Sequence, residues 1–297
     1  MTSSISQFAA TAPLRDGPVV VVGAGGMLGR AWMTLLKRCA IDSIGLDLPE
    51  FDMTDPDAVS REIRTEHAAV INCAAYTDVD GAEADELTAE RLNAHAVELL
   101  ARRCAETATP FVHFSTDYVF NGDASAPWKT DAEPDPINAY GRTKWHGEIA
   151  ARSAGDRLLL VRTSWLYAPW GKNFVLTIAR IAEERDELQV VDDQVGRPTS
   201  AEHLASTTWT LLERGARGLV HVTDGGSCSW YEFALEIVKR TDAACLVEPC
   251  ATDQFPRPAA RPRYSVLDLE ETERLLGPMP HWRDNLAAVL ERAGQPT

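Results

Sequence analysis

The chain has 297 residues, 45% of them hydrophobic and 25% charged, which suits one large α/β unit with a buried core and a smaller lobe. A formal net charge of −15 excludes partners held through phosphate contacts on a basic face, so nucleic acid is not expected. No run of about 18 apolar residues reads as a membrane span. The six cysteines form no Cys-x-x-Cys pair and the seven histidines are scattered, so free thiols in a reducing cytoplasm are expected and zinc is not.

The first residues are rich in Ser, Thr and Ala without the continuous apolar core of a signal peptide, and residues 1–17 are expected to form a flexible leader. Short apolar runs then alternate with helical patterns, which signals βαβ units around a parallel sheet. Strands are expected at 19–22, 43–46, 69–71, 111–114 and 158–161. Helices are expected at 28–39, after Thr54-Asp55-Pro56 with proline in the first turn, and across 87–106. Right-handed crossovers predict a Rossmann-type doubly wound sheet whose ligand crevice lies at the carboxyl ends of its strands.

The first strand-helix turn is Gly23-Ala24-Gly25-Gly26-Met27-Leu28-Gly29. Read as Gly-x-Gly-x-x-Gly its third position falls on Leu28; read as Gly-x-x-Gly-x-x-Gly it fits Gly23, Gly26 and Gly29. Either way small residues let the backbone approach a pyrophosphate at the positive end of the helix dipole. Asp47 ends the second strand, where a carboxylate binds the ribose hydroxyls of NAD, while Arg30 can instead receive a 2′-phosphate. Both NADPH and NADH therefore stand as cofactors.

Ser115-Thr116-Asp117 closes an apolar strand, and Tyr140-Gly141-Arg142-Thr143-Lys144 follows. Positions four apart on a helix lie one above the other, so Tyr140 and Lys144 can enter one cleft. An ammonium beside a phenol favours phenolate, which predicts a lowered pKa for Tyr140 and an acid-base role. The Thr116 hydroxyl can hold a substrate oxygen and Asp117 a sugar hydroxyl.

The organisation changes after about Trp165. A helix is expected at 173–184 and a short strand at 188–191, followed by the loop 192–198. Thr199-Ser200-Ala201-Glu202 and Ser229-Trp230-Tyr231-Glu232 both have the capping-box pattern. The expected division is a dinucleotide-binding domain at 18–165, rejoined by 199–222, and a smaller C-terminal substrate-binding lobe at 166–198 and 223–297. The proline-rich 249–262 is extended and passes over a substrate cleft or forms a surface loop.

Six blocks in order resemble the dTDP-4-dehydrorhamnose reductases of the extended short-chain dehydrogenases. They are Ile71 to Asp80, Phe114 to Phe120, Tyr140 to Lys144, Arg162 to Trp165, Asp193 to Thr199 and Arg261 to Ser265. The resemblance implies NAD(P)H-dependent reduction at C4 of a dTDP-4-keto-6-deoxyhexose, as from dTDP-4-dehydrorhamnose to dTDP-L-rhamnose. It implies Thr116, Tyr140 and Lys144 as the catalytic set, with Asp117 and Trp165 on the sugar nucleotide. It also implies Gly26, Met27, Leu28, Asp47, Cys73, Ala74, Ala75 and Phe114 along the cofactor. The nucleotide is expected between the lobes, with Asn173 and Gln194 on the far wall and Arg197 or Arg261 as a fork for its phosphates. Ala31 stands where some members of the family have a glutamate in a magnesium-dependent dimer contact, and the capping position explains Glu202 without metal, so no metal is expected and a homodimer stays open. Tyr118 stands where sugar-nucleotide 4,6-dehydratases have a glutamate, which disfavours dehydration. A related epimerase, or a non-catalytic NADP-binding regulatory subunit, is the alternative.

Overall fold

Four consecutive valines form β1 (Val19–Val22), whose β-branched side chains are buried on both faces of the sheet. The computed structural model describes residues 14–293, so the expected leader lies outside the described residues up to residue 13. From β1 the chain passes through α1 (Met27–Arg38), β2 (Ser43–Leu46), α2 (Pro56–Glu62) and β3 (Ala69–Asn72). Pro56 opens α2 and the Asp55 carboxylate accepts from Asp57 N at 2.9 Å, a cap that stops the helix unwinding from its first turn. The single helix expected at 87–106 is instead α4 (Glu86–Glu90), a π-helical turn over Arg91–His95 and α5 (Ala96–Glu106), preceded by the short α3 (Val79–Ala84). The π turn carries Asn93, whose side chain bonds the backbone of Tyr76 and the hydroxyl of Thr143. Next come β4 (Phe111–Thr116), α6 (Ala139–Ala151) and β5 (Leu158–Thr163).

The second half starts with β6 (Leu166–Tyr167), α7 (Phe174–Glu184), β7 (Glu187–Val191), β8 (Val195–Gly196) and β9 (Thr199–Ser200). It continues through α8 (Ala201–Glu213), β10 (Gly218–His221), β11 (Cys228–Ser229), α9 (Trp230–Thr241) and β12 (Leu246–Cys250), and ends with α10 (Glu270–Leu276) and α11 (Trp282–Ala293). The main sheet has the order β10-β5-β4-β3-β1-β2 with all neighbours parallel. The chain turns one way from β1 to β2 and the other way to β3, so the crevice opens at the carboxyl ends of β1 and β3.

One core packs α1 and α8 on the sheet, and a second packs α2 and α5 on its opposite face. A third core, among α7, α9 and α11, sits apart from the sheet beside the parallel pair β7 and β12. The Ser229 capping box forms in full, with Glu232 N donating to Ser229 Oγ at 3.1 Å and Ser229 N to Glu232 Oε2 at 2.8 Å. The one expected at Thr199 does not. Thr199 lies in β9, Ser200 caps α8 without a side-chain bond, and Glu202 pairs with Arg292 instead. Among the described residues no helix is long and apolar enough to cross a membrane, and all six cysteines are free.

Candidate active site

At the tip of β1, Gly23 has φ +76°, and a Cβ there would stand 2.7 Å from Ala74 N. A Cβ on Gly29 would stand 2.0 Å from the Gly23 carbonyl oxygen, whereas on Gly26 it would meet that oxygen at 3.3 Å. The turn is thus built on Gly23 and Gly29, with room over Gly26. Gly26 caps α1 without any side-chain bond, leaving the first amides of the helix facing the crevice. These bare glycines at a helix N-terminus fit a pyrophosphate. Asp47 Oδ2 accepts from Gly25 N at 2.6 Å, so the carboxylate stands at the turn from the end of β2. Arg30 lies over the Trp170 ring at 5.0 Å, and Trp170 Nε1 donates to Met27 O at 3.0 Å, joining the start of α1 to the segment after β6. Leu28 buries its side chain in the core, so only its backbone faces the crevice. Cys73, Ala74 and Ala75 are half-buried at the end of β3, where small side chains leave the crevice floor open. Burial pushes the Cys73 thiol well above its ordinary range.

The second part of the site is α6. Asn138 starts it, accepting from Gly141 N at 2.7 Å and donating to Ala260 O at 2.8 Å. A Cβ on Gly141 would stand 2.2 Å from Tyr118 O, so glycine lets the helix close on the turn after β4. There Thr116 Oγ1 donates to Asp117 Oδ1 at 3.1 Å and accepts from Tyr118 N at 3.2 Å. Lys144 is buried with Nζ donating to Phe114 O at 2.6 Å, and burial pushes its ammonium down to about 8.

The lowered pKa expected for Tyr140 is not what the structure gives. Burial and the nearby Asp117 carboxylate push the phenol up, against a smaller downward pull from the Thr116 hydroxyl. Burial is the main cause; the Lys144 ammonium that was expected to oppose it is held by the Phe114 carbonyl, and the charge that bears on the phenol is negative. Tyr140 is therefore held as the neutral phenol, the form that a proton donor requires.

Asp117 is 3% exposed. Burial pushes its carboxyl up to about 6, against pulls from the Ser265 and Thr116 hydroxyls, and Oδ2 is left without a well-formed hydrogen bond. Since the unfolded value is lower, the folded chain binds more protons between about pH 4 and 6. This group therefore costs stability as pH rises through that window and goes on doing so above it. Asp117→Asn is expected to raise the melting temperature by about 5 °C at pH 7.5 and to leave it unchanged near pH 4, while turnover falls about tenfold. Melting curves at both pH values check this, and equal gains at the two would remove the charge as the cause.

A cleft of about 950 Å³ lies beside this centre, lined among others by Tyr118, Gln194, Trp230, Phe255, Arg257 and Arg261. The 249–262 segment thus forms part of its wall. Thr116, Asp117 and Tyr140 are not themselves on the lining. Tyr118 stands between, its ring edge-on to Tyr140 at 5.8 Å. Of the expected far wall, Gln194 and Arg261 reach the cleft; Gln194 Nε2 donates to Thr252 Oγ1 at 2.9 Å and Arg261 pairs with Asp80 at 3.0 Å. Asn173 is absent from the lining because its side chain caps α7, accepting from Leu176 N at 3.1 Å and donating to Ala168 O at 2.9 Å. Arg197 is also absent, with Nη1 donating to Gly226 O at 3.0 Å. Trp165 has φ +47° and stacks on Trp230 with ring centroids 3.5 Å apart, and a Cβ on Gly196 would stand 2.5 Å from its ring. Of these two rings, that of Trp230 is the one on the cleft. Sequence reasoning missed Tyr118 and Trp230 as site residues; for Trp230 the available signal was a tryptophan at the first position of a capped helix.

The chain is similar to known proteins over nearly its whole length. The family described as the RmlD substrate binding domain matches residues 17–294. The dTDP-4-dehydrorhamnose reductase of Mycobacterium tuberculosis (strain ATCC 25618 / H37Rv) is 40% identical over 285 residues, 93% of this chain and 93% of the relative. The dTDP-4-keto-6-deoxy-D-glucose reductase of Streptomyces niveus is 37% identical over 267 residues, 89% of this chain and 93% of the relative. The crystal structure of dTDP-4-dehydrorhamnose reductase from Bacillus anthracis in complex with NADP matches with a TM-score of 0.89 at 35% identity, covering 93% of this chain and 99% of that one. With matches over nearly its whole length, and the glycine turn and Tyr/Lys pair in place, the chain belongs to the RmlD substrate binding domain family.

Proposed function

We propose that the chain is an NAD(P)H-dependent oxidoreductase that reduces the C4 ketone of a dTDP-4-keto-6-deoxyhexose, converting dTDP-4-dehydrorhamnose to dTDP-L-rhamnose. The observation that carries this reading is the half-buried phenol of Tyr140, with the Thr116 hydroxyl beside it and Lys144 one helical turn on. The cofactor would be held by the backbone of Gly23, Gly26, Met27, Leu28 and Gly29, by Asp47 at the ribose, and by Cys73, Ala74, Ala75 and Phe114 along the crevice floor. When bound, NADPH or NADH supplies a hydride to C4. Tyr140 then gives its phenolic proton to the oxygen that becomes the hydroxyl, and the Lys144 ammonium, which rests on the Phe114 carbonyl, would turn to the phenolate left behind. Thr116 holds that oxygen in line, and Asp117 anchors a neighbouring hydroxyl.

In this reading 18–165 with 199–222 binds the dinucleotide, and 166–198 with 223–297 binds the sugar nucleotide. Trp230 and Phe255 give the cleft an aromatic lining. Gln194 and Arg261 are the proposed contacts to the nucleotide, Arg261 as the fork for its phosphates, with Trp165 backing Trp230. The substrate is the partner this site requires, and free thiols suit a cytoplasmic enzyme.

The purified chain alone should oxidise NADPH or NADH when given dTDP-4-keto-6-deoxyhexoses, with turnover in the range of about 1–10² s⁻¹. The two cofactors should differ by less than about 10³-fold in kcat/KM, because Asp47 stands at the turn and Arg30 is engaged on Trp170. Cofactor binding without oxidation, on every such sugar, would replace the reductase by a non-catalytic regulatory subunit.

A further inference from the structure

The apolar side chains that the catalytic helix α6 buries outright are small, those of Ala139 and Ala151. Its one isoleucine, Ile149, is 47% exposed, while the face it buries includes Gly141, Thr143, Lys144, Gly147 and Glu148. A helix is ordinarily held in its roll by the apolar side chains it buries. On α6, where half-buried Tyr140 and Trp145 supply the larger apolar contacts, polar bonds share that task. Asn138 fixes the first turn, and Asn93 Nδ2 donates to Thr143 Oγ1 at 3.0 Å in the middle. Farther along, Glu148 is fully buried and receives both prongs of Arg162, Nε to Oε1 and Nη2 to Oε2, each at 2.7 Å. Ser115 Oγ donates to the same Oε1 at 2.6 Å.

Arg162 is 2% exposed on β5, and Ser115 lies on β4 immediately before Thr116. One carboxylate therefore ties α6 to both strands beneath the site. Tyr140, Lys144 and Glu148 follow at intervals of four along one side of the helix. A buried ion pair is a poor device for stability, since the desolvation of two charges offsets their attraction and an apolar pair of similar volume commonly does as well or better. What a two-pronged fork adds is direction.

We propose that Glu148 and Arg162 are positioning residues for the reduction proposed above, on which this inference rests: their fork fixes the roll of α6, and so the place of the Tyr140 phenol and the Lys144 ammonium against Thr116. The charge of Glu148 has a second effect. Glu148 on its own helix and His113 on β4 bear on Lys144, while Arg162 on β5 pairs with Glu148 and His221 on β10 faces Arg162. Burial pushes His113 well down and His221 to about 3, so both are neutral at pH 7. Glu148 is the carboxylate that favours the ammonium of Lys144 against its burial.

Two variants test this against the wild type, each assayed with NADPH and a dTDP-4-keto-6-deoxyhexose. The double variant Glu148→Leu with Arg162→Met removes both charges together. It should keep its melting temperature within about 3 °C and its KM values and NADPH affinity within about twofold, while kcat falls about tenfold or more because Tyr140 is misplaced. Glu148→Gln should move the alkaline limb of the kcat profile to lower pH, as Lys144 gives up its proton sooner. An active wild type matched in kcat by the double variant overturns the positioning role alone. A double variant that melts far below the wild type makes the pair a stability element and overturns it as well. A wild type inactive on every such sugar overturns the reduction, and the positioning role with it.

Discussion

Replacing Tyr140 by phenylalanine is expected to lower kcat by about 10²-fold or more while the dissociation constant for NADPH stays within about twofold. The ring of Tyr140 packs against Ala82, Ala89 and Ala139 and meets the edge of Tyr118, contacts that phenylalanine keeps. What it removes is the phenolic proton, held in place by burial and by the Asp117 carboxylate. The loss should therefore fall on kcat and not on binding, since a neutral phenol and a benzene ring differ little toward the ground state. The pH profile supplies a second readout. In the wild type the rate should fall above about pH 8, as the Lys144 ammonium that would support the Tyr140 phenolate is lost. Wild-type turnover in the variant would remove Tyr140 from the chemistry. An unchanged alkaline limb would instead point away from Lys144 as its partner.

How much of this was legible in the sequence depends on whether the cause was local. The strands of the main sheet read as short apolar runs because a parallel sheet is covered on both faces, so β1 and the first four residues of β5 need apolar side chains on either side. The glycine turn and the Tyr140/Lys144 spacing are likewise local, and both stand where the pattern put them. The break between α4 and α5 was invisible because its cause is tertiary: the π turn brings the Asn93 amide onto Tyr76 and Thr143, which are distant in sequence. The same holds for Trp230, which becomes a cleft residue only when stacked on Trp165. Residue type alone offered Asn173 and Arg197 as ligands as readily as Gln194 and Arg261, and only the fold assigns the first to a helix cap. The protonation of Tyr140 was misread for a related reason. A spacing of four says that Lys144 shares a side of the helix, not where its ammonium ends, and Nζ is drawn to Phe114 O.

Gly29→Ala is expected to weaken NADPH binding by about 10²-fold or more, whereas Gly26→Ala should change it by only a few-fold. On Gly29 the added methyl would stand 2.0 Å from Gly23 O and 2.7 Å from Ala24 Cα, both backbone atoms that cannot rotate away. Relief requires α1 to lift from β1, which opens the turn and moves the helix N-terminus off the pyrophosphate position. Gly26 has ordinary extended geometry, with φ −69°, and one approach at 3.3 Å that a small shift relieves. Gly23→Ala should resemble Gly29→Ala, because it combines φ +76° with contacts of 2.7 and 2.8 Å to the backbone of Ala74. Gly25→Ala should be intermediate, since its methyl meets only the Asp47 carboxylate, at 2.9 Å, a side chain that can give way at the cost of its bond to Gly25 N. Isothermal titration of NADPH into the four variants gives this order directly, and a 10²-fold loss corresponds to about 2.7 kcal/mol. Equal losses at all four positions would mean that turn flexibility, and not these close approaches, sets affinity. Unimpaired binding by Gly29→Ala would place the pyrophosphate away from α1.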